Sequence, residues 1–192
     1  MSKWNILLDF DRTVTAGHSG GTRYTKTSPM DEKNKKAFVD NVNNWISQGH
    51  NVGIITRGVD QQIFDYFERE LQITPILNEF ATGQVSIFAP DIMTFSEHDD
   101  VEWWAQHKVE QVRDLLYIIG FFHKDNKTLF FDDTPENVEA MKASFPSMIC
   151  QEAVKGRYEE TFARVNQVIR PAAGGRRTKA SRNKRSKKTR RS

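Results

Sequence analysis

Short apolar runs alternate with longer amphipathic stretches along this chain, and the two periods predict a β/α alternation. Residues 4–9, WNILLD, form the first run and predict a buried strand. After a Gly- and Ser-containing loop, Ser28-Pro29 predicts the start of a helix as N-cap and first-turn proline. Phe38, Val42, Trp45 and Ile46 make its apolar stripe, and Gly49 ends it. NVGIIT, residues 51–56, predicts a second strand ending at Thr56. Residues 59–73 predict a second helix with Ile63, Phe64, Phe67 and Leu71 on one side. Residues 74–100 read as irregular, with QVSIFA as a short strand or a hairpin arm. A third helix is expected over residues 101–119, with Val109, Val112, Leu115, Leu116 and Ile119 inward and Gly120 as its stop. TLFFDD (128–133) predicts a strand, TPENVEAMKASF (134–145) a helix, SMIC (147–150) a fourth strand and YEETFARVNQVI (158–169) a closing helix. Short apolar strands joined by helices of this length build a parallel sheet with helices on both faces, a Rossmann-like α/β fold.

Length and composition narrow this picture. A chain of 192 residues is one domain with a little to spare. Its single cysteine, Cys150, excludes an internal disulfide and suits a reducing compartment. No run approaches the roughly 20 apolar residues of a membrane span, and the N-terminus lacks a signal peptide's basic region and cleavage site. The expectation is a soluble intracellular protein, cytoplasmic or nuclear and not secreted.

Charge is distributed unevenly. Residues 170–192 carry 11 of the 28 Lys and Arg and no acid, which leaves 17 against 25 Asp and Glu in residues 1–169, a body near −8. An acidic domain at 1–169 is therefore expected to carry a disordered basic tail at 170–192, with no apolar face to fold on. Such a tail binds polyanions by counterion release or serves as a nuclear import address, so nucleic acid or an import receptor is its expected partner.

Three predicted strands end in polar or acidic groups: Asp9 and Asp11, Thr56, and Asp132 and Asp133. In open α/β sheets functional groups gather outside the carboxyl ends of the strands, so all three ends can meet at one edge. Clustered carboxylates repel, and a hard divalent cation such as Mg²⁺ relieves the repulsion with oxygen ligands. Beside such a cation a free carboxylate can attack an anionic electrophile, and a second acid two residues on can protonate a leaving oxygen and then deprotonate a water. A hydroxyl and a lysine would complete a cradle for phosphate oxygens. These residue types fit phosphoryl transfer through an aspartyl phosphate.

The same residues resemble a known family. LLDFDRTVT is similar to the D-x-D-x-[TV] motif of the haloacid dehalogenase (HAD) superfamily, whose members are mostly Mg²⁺-dependent phosphatases. VGIIT resembles its second motif, ending at Thr56, and LFFDDTPENV its fourth, with Asp132, Asp133 and Asn137. Lys108, 25 residues before Asp133, stands at the spacing of the family's lysine; Lys124 and Lys127 compete but lie directly before the last motif's strand. The resemblance spans roughly residues 4–150. It implies Asp9 as nucleophile and metal ligand, and Asp11 as general acid/base with its backbone carbonyl on the metal. It further implies Thr56 and Lys108 on the phosphoryl oxygens, Asp133 as the first choice of acidic metal ligand with Asp132 beside it, and Asn137 orienting them. Thr13 would support the loop that places Asp11. Arg12 stands where many relatives have the glycine of a tight turn.

Substrate scope follows from what is missing. About 27 residues, 74–100, are available for an insert, which is a loop or hairpin and not a full cap. An open site suits a macromolecular substrate, a phosphoprotein or a nucleic-acid end, as in the capless magnesium-dependent phosphatases. The expected activity is phosphomonoester hydrolysis. A polynucleotide 3′-phosphatase and a non-catalytic nucleic-acid-binding protein with a HAD-like domain are the alternatives. The five histidines show no ligand spacing, and Trp103-Trp104 reads as a packing pair.

Overall fold

The computed structural model describes residues 2–15, 30, 32–56, 60–89, 101–123, 127–155 and 157–170. Among these residues six parallel strands form one sheet: β1 (Trp4–Asp9), β2 (Asn51–Ile55), β3 (Ile76–Leu77), β4 (Val85–Phe88), β5 (Lys127–Asp132) and β6 (Ile149–Glu152), in the order β3-β4-β2-β1-β5-β6. Five helices connect or follow them: α1 (Glu32–Ser47), α2 (Asp60–Arg69), α3 (Val101–His123), α4 (Pro135–Ser144) and α5 (Tyr158–Ile169). The α/β class and the helices on both faces are as expected from the apolar periodicity.

Strand alternation divides the core in two. Ile6, Leu8, Val52, Ile54, Leu129 and Phe131 face α1, α2 and α5, where Phe38, Trp45, Phe67 and Phe162 fill the layer. Leu7, Ile55 and Phe130 face α3 and α4 and meet Val109, Val112, Leu115, Val138 and Met141. Both faces of β1 and β2 are covered, which is why these strands read as largely apolar runs. Gly53 in the middle of β2 has a packing reason: a Cβ there would lie 2.8 Å from Leu7 Cδ2 and 3.4 Å from Leu115 Cδ2. Its absence lets α3 approach the sheet.

A polar ladder sets the register of the three central strands. Asn51 Nδ2 donates to Asn5 Oδ1 at 2.8 Å, and Asn5 Nδ2 donates to Thr128 Oγ1 at 3.2 Å, between residues paired across the strands. Buried amides satisfied in this way penalise a slip that would separate them.

Several boundaries differ from the sequence reading. Of the two readings of QVSIFA, residues 85–88 take the short strand, parallel to β2, whereas β3 lies within the stretch read as irregular. The supposed insert at 74–100 thus contributes two strands to the sheet itself. β6 sits two residues later than SMIC because pairing with β5 aligns Leu129 with Ile149 and Asp132 with Glu152. α3 runs through Gly120 to His123, since that glycine keeps helical backbone and does not take the left-handed conformation of a helix stop. Gly49 does: at φ 77° its N–H donates to Ile46 O and the N–H of His50 to Trp45 O, a Schellman closure of α1. Ser28, Pro29, Lys124 and residues 171–192 lie outside the described residues, so the expected cap of α1 and the basic tail do too. Among the described residues no helix is long and apolar enough to cross a membrane.

Candidate active site

The chain leaves β1 toward β2 on one side and, through α3, reaches β5 on the other, so the β1/β5 boundary is where the strand order reverses. The crevice beyond the carboxyl ends of two such strands is where open sheets bind ligands. Asp9 ends β1 and Asp132 ends β5. By strand alternation both project to the α3/α4 side, the side of Leu7 and Phe130.

α3 delivers a lysine between them. Lys108 Nζ lies 2.5 Å from Asp9 Oδ1 and 2.5 Å from Asp132 Oδ2, and all three side chains are buried. Asn137, in the first turn of α4, donates its amide to both oxygens of Asp132 at 3.0 Å, and the Thr134 N–H donates to Asp132 Oδ1 at 2.9 Å. Asp132 therefore serves twice, as an ion-pair partner and as the turn-former that leads into α4. Asp133 faces Lys155 Nζ at 3.5 Å, an ammonium on a largely exposed side chain. One carboxylate oxygen from each of Asp9, Asp132 and Asp133 lies within 4.8 Å of the others, a spacing that a single cation can bridge.

The electrostatics of the cluster are unbalanced. Burial raises the Asp9 carboxyl to about 8; Lys108 opposes this, while Asp132 and Asp133 add to it. Burial works against the Lys108 ammonium, yet Asp132 and Asp9 together outweigh it and raise its pKa above the ordinary value. Asp9 and Asp132 share one buried ammonium, and Asp133 adds a third carboxyl group that faces Lys155. A divalent cation would relieve the repulsion among these acids, and aspartate oxygens are donors that Mg²⁺ accepts, so the residues present fit the ion.

Past β1 the chain makes the turn that carries Asp11. Arg12 adopts φ 61°, the left-handed region, so the tight turn forms with an arginine where glycine would be unstrained. Thr15 holds it: Thr15 Oγ1 accepts from the Arg12 N–H at 3.1 Å and donates to Phe10 O at 3.3 Å, and the N–H groups of Val14 and Thr15 also donate to Phe10 O. Thr13, expected to support this loop, is fully buried, and its hydroxyl has no hydrogen-bond partner among the described residues. Asp11 is half-buried in the turn and is not one of the three converging carboxylates. Thr56 is buried one residue beyond Ile55, the register partner of Asp9, and its N–H donates to Phe88 O at 3.0 Å.

Sequence reasoning missed Thr15 and Lys155. Thr15 carried a signal, a hydroxyl four residues after Asp11, whereas Lys155 has no marker apart from its place after β6. Trp103 and Trp104 join neither apolar cluster. They are half-buried in the first turn of α3, with Trp103 stacked on His107 at 4.0 Å and perpendicular to Trp104. No protein-family model, no curated protein and no solved structure matches this chain.

Proposed function

We propose that the chain is a Mg²⁺-dependent phosphatase that hydrolyses a phosphomonoester through an aspartyl phosphate on Asp9, as its resemblance to the HAD superfamily implies. The observation that supports this reading most is the convergence of Asp9, Asp132 and Asp133 within 4.8 Å around a buried lysine.

Asp9, Asp132 and Asp133, with the backbone carbonyl of Asp11, would hold the ion. Such an ion would keep Asp9 ionised despite its burial and would neutralise the incoming phosphoryl oxygens. Asp9 then attacks phosphorus through a carboxylate oxygen, the bond from phosphorus to the ester oxygen breaks, and Asp11 gives that oxygen a proton. In the second step a water loses a proton to Asp11 and attacks the same phosphorus. Its oxygen leaves in inorganic phosphate, and the Asp9 carboxylate is restored. Lys108 anchors Asp9 and Asp132 against each other, and Asn137 prevents Asp132 from rotating. Thr56, at the adjoining strand end, is the candidate hydroxyl for the phosphoryl oxygens.

Hydrolysis of a generic aryl phosphate, with Mg²⁺ and with chelator, tests the reading. Mg²⁺-dependent turnover that Asp9→Asn abolishes supports it; no turnover, or turnover unaffected by Asp9→Asn, refutes it. The basic run at 170–192 favours a second reading, a polynucleotide 3′-phosphatase, which a 3′-phosphorylated oligonucleotide assayed beside a phosphopeptide separates.

A further inference from the structure

A cleft of about 540 Å³ opens between the first turns of α3 and α4, lined by Glu102, Trp103, Ala105, Gln106, Glu136 and Ala140. We propose that it receives an arginine or lysine side chain of a peptide substrate, from a residue close to the phosphorylated one. This rests on the phosphatase reading above and names its substrate class.

The cleft adjoins the candidate active site on both helices. Ala105 lies one turn before Lys108 on α3, and Glu136 immediately precedes Asn137, whose amide holds Asp132. One helical turn advances about 5.4 Å, and an extended peptide about 3.3–3.6 Å per residue. A side chain entering the cleft therefore belongs to a residue a short step from the one at Asp9.

Its lining selects for positive charge. Glu102 and Glu136 are exposed carboxylates on opposite walls, and Gln106 adds an amide. Trp103 lines the cleft with a half-buried ring, one face of which is stacked on His107. An aromatic face beside carboxylates is the environment that a guanidinium or ammonium prefers. The same carboxylates repel the backbone of a nucleic acid, and residues 1–169 as a whole carry an excess of acid. A phosphopeptide with basic flanks is accordingly favoured over a phosphorylated nucleic-acid end.

The test uses the full chain and phosphoserine peptides of one length, flanked by Arg or by Glu, beside a 3′-phosphorylated oligonucleotide. The Arg-flanked peptide should exceed the Glu-flanked one in kcat/KM by about tenfold, equivalent to about 1.4 kcal/mol. Glu102→Lys combined with Glu136→Lys should remove or invert that ratio. Glu139→Lys makes a charge change of the same kind one turn along α4, outside the cleft, and should leave the ratio standing. Equal rates on the two peptides, a ratio that Glu139→Lys alters as much as the cleft variant does, or faster turnover of the oligonucleotide would overturn the inference. Should the aryl phosphate prove inert, the phosphatase reading fails separately, and the cleft is read by fluorescence anisotropy of labelled peptides lacking phosphate. Tighter binding of the Arg-flanked peptide, lost in the double variant, sustains the cleft's assignment; equal binding ends it.

Discussion

Replacing Lys108 with methionine isolates the electrostatic centre of the site. The substitution keeps the length and apolar stem of the side chain and removes only the ammonium. Asp9 and Asp132 would then face each other in the interior without a shared counter-charge. Removing one partner of a buried ion pair costs about 3–5 kcal/mol, against a total stability of roughly 5–15 kcal/mol for a domain. With a urea slope of about 2 kcal/mol/M, the unfolding midpoint should fall by roughly 2 M. The protein supplies its own control in Lys36–Asp40 on α1, where the N–O distance is 2.6 Å against 2.5 Å at Lys108, but the side chains are 76% and 61% exposed. Lys36→Met should cost no more than about 1 kcal/mol, because water already solvates both ends. Burial, and not length, is what separates the two pairs. Urea titrations followed by circular dichroism, in chelator so that no ion substitutes for the ammonium, provide the measurement. Adding Asp132→Asn to Lys108→Met should recover part of the loss by removing one of the orphaned charges. Equal midpoint shifts for Lys108→Met and Lys36→Met, or no recovery in the double variant, would refute the reasoning.

Other expectations follow from single features. Asp9 titrates near 8 in the folded chain and near 3.8 when unfolded, so its contribution to stability is fully present below about pH 4 and disappears as pH rises through about 8. In chelator, thermal unfolding of Asp9→Asn should gain on the wild type between pH 5 and 8, by at most about 1.4 kcal/mol per pH unit; a constant difference contradicts the raised pKa. Arg12→Gly should raise the melting temperature by the equivalent of up to about 1 kcal/mol, since glycine adopts φ 61° without strain, and a fall would show that the arginine side chain holds the turn. Gly53→Ala should cost about 1–3 kcal/mol through overpacking against Leu7 and Leu115, readable as a lowered urea midpoint, and an unchanged midpoint would mean that α3 yields freely.

The amino-acid sequence by itself determined the class of the fold and the residue types at its edge. Doubly covered parallel strands are largely apolar, so β1, β2 and β5 announced themselves; β1 and β5 end at an aspartate and Thr56 follows β2, all at the edge that strand direction fixes. Elements held by their neighbours were less legible. β3 has two residues and owes its existence to pairing with β4, and β6 took its position from β5 and not from its own composition. Gly120 looked like a helix stop because local sequence does not reveal whether a glycine will take the left-handed region.

At the site, residue types pointed to Asp9, Asp132, Asp133, Lys108 and Asn137, but only the tertiary structure decided how they share their charges. Lys108 spans Asp9 and Asp132, separated from them by 99 and 24 residues, so no local pattern could specify that contact. The division of the turn between Thr15 and Thr13, and the acidic cleft beside Trp103, were equally out of reach. Periodicity records whether a residue is buried, whereas the partner it meets there depends on the order in which strands are laid into the sheet.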